Sequence, residues 1–333
     1  MNDWRRLRRD MDRLARQTWD MIARGDVMGI RLREDTITES ALLRLALDHP
    51  SLTVRRFNQN AEKTSGGDWE WIVGADGVGW FALRIQAKRM DELSYRQLDH
   101  PGERDDEHQF DTLIRSSAAR SDLPTLPWYV FFNGWASGWP TGVSWNACPK
   151  DYPPERCIHH QLHDMGCAAA PAVVVRTLYE TSGRARRRMG THLPHSVPWS
   201  WLMGPPVPKS RGRMPVDTRP ADLVARLFAW HRIVETASSR MAAQPREPGS
   251  VARGTAQHWH RREGVLIEEA SNLLARNLPP YAEALRERAR VASQFPEEIE
   301  LGDLGQRAEL APPAGVDLLT LTDLSGHGSG EDR

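Results

Sequence analysis

Polar and apolar residues alternate through Asp68–Val73 and again through Gly79–Lys88. Successive side chains on a strand point to opposite faces, so Trp69, Trp71 and Val73 share one face and Asp68 and Glu70 the other. In the second segment Phe81, Leu83, Ile85 and Ala87 form an apolar row, with Arg84, Gln86 and Lys88 opposite. Gly74-Ala75-Asp76-Gly77 carries the turn chemistry between them, and the pattern predicts a β-hairpin. When the apolar rows share a face, Asp68 falls across from Arg84 or Gln86. A carboxylate, an amide oxygen and an ammonium group then converge on one polar surface.

Around the hairpin the period changes. Trp4, Leu7, Met11 and Leu14 form one stripe and predict a helix over residues 3–24. Thr36-Ile37-Thr38-Glu39 has capping-box spacing and predicts a helix from there to about Asp48, ended by Pro50. Leu52 to Phe57 reads as a strand, residues 90–106 as a polar loop, Gln109 to Ala119 as a helix and Trp128 to Asn133 as a buried strand. Residues 192–220 are proline-rich; Ala221 to about Ala243 is amphipathic on Leu223, Leu227, Trp230 and Val234, and residues 263–293 suggest two helices broken at Pro279-Pro280. The expected organisation is an N-terminal helix at 1–30, a core at 31–140, a Cys/His/Pro-rich insertion or linker at 141–220, a mainly helical region at 221–310 and a disordered tail at 311–333.

Composition narrows the class. With 333 residues, 40% hydrophobic and 26% charged, the chain is long enough for one large or two ordinary domains. No apolar run reaches membrane-spanning length, and the Arg-rich start lacks the apolar stretch of a signal peptide, so a cytoplasmic protein without a membrane partner is expected. Three cysteines argue against a disulfide framework. The formal net charge is zero, yet basic residues cluster at Arg5, Arg6, Arg8, Arg9, Arg13 and Arg16, at Arg184, Arg186, Arg187 and Arg188, and at Lys209, Arg211 and Arg213. Such runs are solvated surface or phosphate-attracting patches.

The polar face of the hairpin holds the candidate chemistry. Phosphodiester hydrolysis needs an activated water and a stabilised pentavalent anion, and a hard divalent cation on oxygen ligands supplies both. Asp68 is the first candidate ligand; Gln86 offers an amide oxygen and Ala87 a backbone carbonyl, while Lys88 can orient the water or neutralise developing charge. Glu70 is a further ligand or the partner of Arg84, and Glu39 either a carboxylate sent in from the preceding helix or a capping residue. The Gly66-Gly67 pair permits close approach of a phosphate backbone. Glu62 could reach the site from its loop, and Tyr95, Gln97, Gln109 and Asp111 could line the cleft or belong to surface helices.

The spacing Asp68…Gln86-x-Lys88 resembles the PD-(D/E)xK nuclease signature in its Gln-x-Lys variant, as in Mrr-like restriction endonucleases, although no proline-aspartate pair precedes the hairpin and Gly67 stands there instead. The element order, helix, three strands, helix, strand, resembles the αβββαβ core of the restriction-endonuclease-like fold, an α/β fold on a mixed sheet. The Asp-Trp-Glu-Trp hairpin with Gln-Ala-Lys also resembles an uncharacterised bacterial family. The likeness is best over 30–135. It implies a Mg²⁺- or Mn²⁺-dependent nuclease acting on nucleic acid, DNA before RNA, in defence against phage or plasmid. It leaves room for a homo-oligomer or an operon-encoded partner. Catalytic roles would fall to Asp68, Gln86, Lys88 and Glu70, with metal ligands from Asp68, Gln86, Ala87 and Glu39. The neutral Gln86 removes a negative charge that Glu39 or Glu70 would have to replace.

A second cluster, Cys148, Cys157, His159, His160, His163 and Cys167, has zinc-type ligands, with His163 and Cys167 one helical turn apart; buried thiols and surface histidines are the alternative to a structural zinc. No nucleophile elbow or phosphate loop is present. Beside the nuclease stand two other readings. One is a catalytically inactive protein of the same fold that binds nucleic acid or a protein partner. The other is an interaction protein whose 13 tryptophans serve packing and docking.

Overall fold

The structure is a computed structural model that describes residues 3–49, 52–56, 62–102, 107–135, 162–204, 220–242, 265–294 and 318–323. It is an α/β protein on one mixed sheet. The chain runs α1 (Asp3–Val27), α2 (Glu34–Asp48), β1 (Leu52–Arg56), a short α3 (Glu62–Ser65), β2 (Trp69–Ala75), β3 (Gly79–Arg89), α4 (Gln109–Ala118) and β4 (Thr125–Phe132). It continues through β5 (Cys167–Pro171), α5 (Ala172–Thr181), α6 (Met189–His192), β6 (Val197–Pro198), α7 (Pro220–Ala242), α8 (265–271), α9 (Pro280–Gln294) and β7 (Leu318–Asp323).

Against the expected order, helix, three strands, helix, strand, the chain runs α2-β1-α3-β2-β3-α4-β4, with the four-residue α3 set between the first two strands. The pairing is less simple. The sheet order is β1-β7-β2-β3-β4-β5-β6, so β7 separates β1 from β2. β7 runs antiparallel to β1 and parallel to β2, β3 pairs antiparallel with β2 and parallel with β4, and β5 and β6 follow antiparallel. Residues 318–323 of the expected disordered tail are thus an inner strand; Leu318-Leu319-Thr320-Leu321-Thr322 is strand-prone and uncharged. The span expected as a linker at 141–220 likewise supplies β5, α5 and β6 to the same sheet.

The hairpin forms with its apolar rows on one face, and of the two registers left open it takes the one that puts Asp68 by Gln86, with Trp69 opposite Ile85, Glu70 opposite Arg84 and Val73 opposite Phe81. Its turn is tighter than expected: β2 continues through Ala75, and Gly77 takes φ 73° where an L side chain would be strained. The row Trp69, Trp71, Phe81, Leu83, Ile85 and Ala87 packs into one core with α1, α2 and α7. This core draws on residues from Leu7 to Leu274, so the N-terminal helix and the helical C-terminal region share it with the hairpin. The other face is covered by Phe110 and Leu113 of α4, by Val175 and Tyr179 of α5, and by Ala282 and Leu285 of α9. Both faces of β2 and β3 are buried throughout, including the polar row. Among the described residues no helix is long and apolar enough to cross a membrane.

Candidate functional site

Strand pairing sets the geometry. The Asp68 N–H donates to the Ile85 carbonyl at 2.8 Å, which puts the Asp68 side chain beside Gln86. The Gln86 amide nitrogen donates to both Asp68 oxygens, at 2.8 and 2.7 Å, and to the Ala87 carbonyl at 3.1 Å. The Ala87 N–H donates to Asp68 Oδ2 at 2.6 Å. Asp68 is half-buried and Gln86 is sealed from solvent. Gln86 Oε1 is a buried acceptor with no hydrogen-bond partner. Two residues on, a spacing of about 7 Å along the strand, Lys88 lies on the same face, its Nζ 3.7 Å from Glu34 Oε1.

Glu34 comes from the first turn of α2, and it also accepts from the Arg89 N–H at 3.1 Å. With its amide nitrogen turned toward the carboxylate, Gln97 donates to both Glu34 oxygens at 3.0 and 2.9 Å. Gln97 belongs to a 3₁₀ turn, Arg96–Asp99, inside the stretch expected to be loop. Asp68, Gln86, Ala87, Lys88, Glu34 and Gln97 thus form a polar strip along β3. Tyr129, paired with Gln86 across the β3–β4 ladder, closes its floor. Burial, then the charges of Asp68, Asp111 and Glu34, push the Tyr129 phenol well above its ordinary pKa, so the ring stays neutral.

Of the expected site residues, Asp68, Gln86 and Ala87 come together, and Lys88 follows on the same strand face, paired with Glu34. The carboxylate that α2 contributes is Glu34, whereas Glu39 is exposed on another face of the helix. Residues five apart are rotated about 140° on a helix, so the two cannot serve one site. The expected capping box is not formed either: α2 starts at Glu34 after Arg33, with no side-chain cap. Glu34 was legible as an acid opening a helix, once that start is placed two residues earlier.

Glu70 shares the face of Asp68 but belongs to a separate ion cluster. It is fully buried and accepts from Arg84 at 3.1 Å, pairs with Arg120, and accepts from the Tyr281 hydroxyl of α9 at 3.3 Å. A ligand role for Glu70 would require breaking that cluster. The Gly66-Gly67 pair is buried under α4 rather than open to a phosphate. A Cβ on Gly66, whose φ is 69°, would sit 2.6 Å from the Leu113 nitrogen, and one on Gly67 would sit 2.9 Å from Arg84. Tyr95 donates to Asn133 at 2.6 Å inside the core, away from any cleft. Gln109 and Asp111 open α4, and the side chain of Glu62 lies outside the described residues.

The zinc-type cluster falls partly outside the described residues, which do not include Cys148, Cys157, His159 or His160. His163 and Cys167 do not share a helix face. His163 lies in a 3₁₀ turn against Trp19, with ring centroids 5.4 Å apart, and Cys167 begins β5. Burial pushes the Cys167 thiol up to about 12, which disfavours the thiolate a zinc ion needs. Among the described residues no three His, Cys, Asp or Glu side chains form a metal-holding group. The basic runs are largely engaged: Arg16 binds Asp164 at 2.6 Å, Arg13 binds Asp10 at 3.0 Å and Arg187 binds Asp99 at 2.6 Å, while Lys209, Arg211 and Arg213 lie outside the described residues.

Neither a curated protein nor a solved structure matches the chain. A family model does match, over residues 7–311: the chain belongs to the family of unknown function DUF6615.

Proposed function

We propose that the chain is a divalent-metal-dependent nuclease acting on DNA, with Asp68, Gln86, Ala87, Lys88 and Glu34 as its site. The observation that carries the reading is the contact of Asp68 with both the Gln86 amide and the Ala87 N–H, beside a buried lysine on the same strand face. Three kinds of hard oxygen border this strip: the Asp68 and Glu34 carboxylates, the Gln86 amide and the Ala87 carbonyl. That donor set suits Mg²⁺ or Mn²⁺ and does not suit zinc. The unpartnered Gln86 Oε1 fits the same reading. Rotating the amide would bring its oxygen toward Asp68, an arrangement that is repulsive unless a cation lies between them.

A bound divalent cation would lower the pKa of a water and neutralise charge on the scissile phosphate. The chain's own residues do the rest. Asp68 and Gln86 would hold the ion. Lys88 carries an ammonium group that stabilises the developing phosphoryl charge or orients the attacking water. Glu34 aims that ammonium, and Gln97 and the Arg89 N–H fix Glu34 in turn. With two carboxylates and a neutral amide, ion binding is weak and depends on the phosphate as a further ligand.

One observation favours the second reading, a non-cutting protein of this fold that binds nucleic acid or a partner. Both Asp68 oxygens and the Lys88 ammonium already have partners within the chain. The deciding experiment incubates the full chain with plasmid and single-stranded DNA, with Mg²⁺ or Mn²⁺ and with chelator. Cleavage that needs the cation is expected. Asp68→Ala and Lys88→Ala should abolish it, and Glu34→Gln should lower it at least a hundredfold, with Glu39→Gln unchanged. Cleavage that survives in Asp68→Ala and Lys88→Ala, or none under any cation, overturns the reading.

A further inference from the structure

A cavity of about 540 Å³ opens where the parallel strands β3 and β4 end, between the α1–α2 connection and the turn after β3. The carboxyl ends of parallel strands are where α/β sheets commonly bind ligands. Arg89 lines it, one residue beyond Lys88, and its backbone N–H is held by the same Glu34 that faces Lys88. We propose that this cavity takes the unpaired base of a nucleotide, stacked on Trp135.

Three features select that chemistry. First, Trp135 is half-buried with its ring 4.2 Å from that of Trp19, so it offers a braced aromatic wall. Stacking on a nucleobase needs such a surface and tolerates any base. Second, the Arg89 side chain is 7% exposed and donates to Asp26 at 2.6 Å, while its Nε has no acceptor. A buried donor without a partner is costly, and a ring nitrogen or carbonyl on a base would satisfy it. Third, the charged lining is Arg31 and Arg89 against Asp26, Asp91 and Glu92. That excess of carboxylate disfavours a bare phosphate, whereas a base presents donors to carboxylates and acceptors to guanidinium groups.

The rim is built at a cost in backbone energy. Asp91 and Ser94 exchange backbone hydrogen bonds at 2.8 and 3.0 Å around Glu92 and Leu93, which take φ of 48° and 60°. Positive φ at two consecutive non-glycine residues is unfavourable and collects at functional positions. The turn is held by the Met189 N–H donating to the Leu93 carbonyl at 2.9 Å and the Tyr95 N–H to the Arg187 carbonyl at 2.7 Å.

The base belongs either to a free nucleotide or to a strand lying across Lys88; only the second source rests on the nuclease reading. The test measures binding to the full chain in chelator by calorimetry, using single nucleoside monophosphates, a short unpaired oligonucleotide and inorganic phosphate. At least one nucleotide or the oligonucleotide is expected to bind. Trp135→Leu should weaken it tenfold or more, Trp135→Phe should retain most of the affinity, and phosphate should not compete. Tighter binding of the oligonucleotide, with KM for cleavage raised in Trp135→Leu, assigns the base to a strand. Equal or tighter binding of a mononucleotide assigns it to a free ligand. No binding of any probe, equal binding in Trp135→Leu, or competition by phosphate overturns the proposal. DNA cleavage without Trp135-dependent binding removes the cavity's role alone; Trp135-dependent binding by a chain that never cuts removes the nuclease reading alone.

Discussion

Gln86 occupies the position where its neighbours make a second carboxylate hardest to hold. Its amide nitrogen gives Asp68 two hydrogen bonds that an acid could not. Replacing it by glutamate would set two carboxylates in contact in a site where Gln86 itself is fully buried. Without a cation, Gln86→Glu should therefore destabilise the fold by about 1–3 kcal/mol, the cost of a buried polar group stripped of its partner. A divalent cation between the two acids reverses the sign. Thermal unfolding with chelator and with millimolar Mg²⁺ reads this directly: Gln86→Glu should melt below the parent in chelator and recover in Mg²⁺. The parent should show only a small Mg²⁺ gain. A variant whose melting temperature ignores the cation would argue that no ion sits between positions 68 and 86.

The hairpin's elements were legible because side-chain period and turn residues agree, and the shared apolar rows narrowed its register to two. What the alternation did not reveal is that the polar row is also buried. A strand with one polar face reads as half-solvated, yet Glu70, Arg84, Gln86 and Lys88 are all at most 3% exposed. Their coverings, α4 and α9, are distant in sequence, and no local pattern announces them. Glu34 was missed because a capping box placed the helix start at Thr36. The position of β7 was illegible for another reason: a short strand-prone run does not say which gap in a sheet it fills. That gap makes a prediction. β7 supplies the neighbour of both β1 and β2, so truncation after residue 317 leaves two facing edges without hydrogen-bond partners. The truncated chain should self-associate and melt at lower temperature, as light scattering and thermal unfolding would register. A monodisperse truncation with the parent's melting temperature would contradict β7 as an inner strand.

At the scale of the whole molecule, the interior encloses titratable groups whose preferences oppose one another: His231 lies against Phe81 and Trp128 in the core that joins α1, the hairpin, the 199–203 turn and α7, and His192 lies against Tyr95 and Phe131 on the other face of the sheet. Burial pulls His231 down to about 3 and His192 down to about 4, each despite a hydrogen bond to a backbone carbonyl, and it lowers His195 as well. Burial also pushes the Asp12 carboxyl up to about 6, opposed by the nearby Ser200 hydroxyl and by the Arg8 and Arg16 charges, and reinforced by Asp164. Between about pH 4 and 6 the unfolded chain protonates His192 and His231 while the native chain does not, so these two favour folding more as pH rises. Over the same window native Asp12 holds a proton that the unfolded chain has released, so it favours folding less as pH rises. Among these groups two protons stand against one, so their combined contribution makes stability rise with pH across this window, and His195 adds in the same sense. Asp12→Asn removes the opposing group, and the slope should steepen by roughly one proton's worth. Urea unfolding at intervals across this range measures both slopes. Parallel slopes in the parent and Asp12→Asn would mean that Asp12 is ionised inside the fold, and that the contact between α1 and the 199–203 turn is held by charge rather than by a neutral acid.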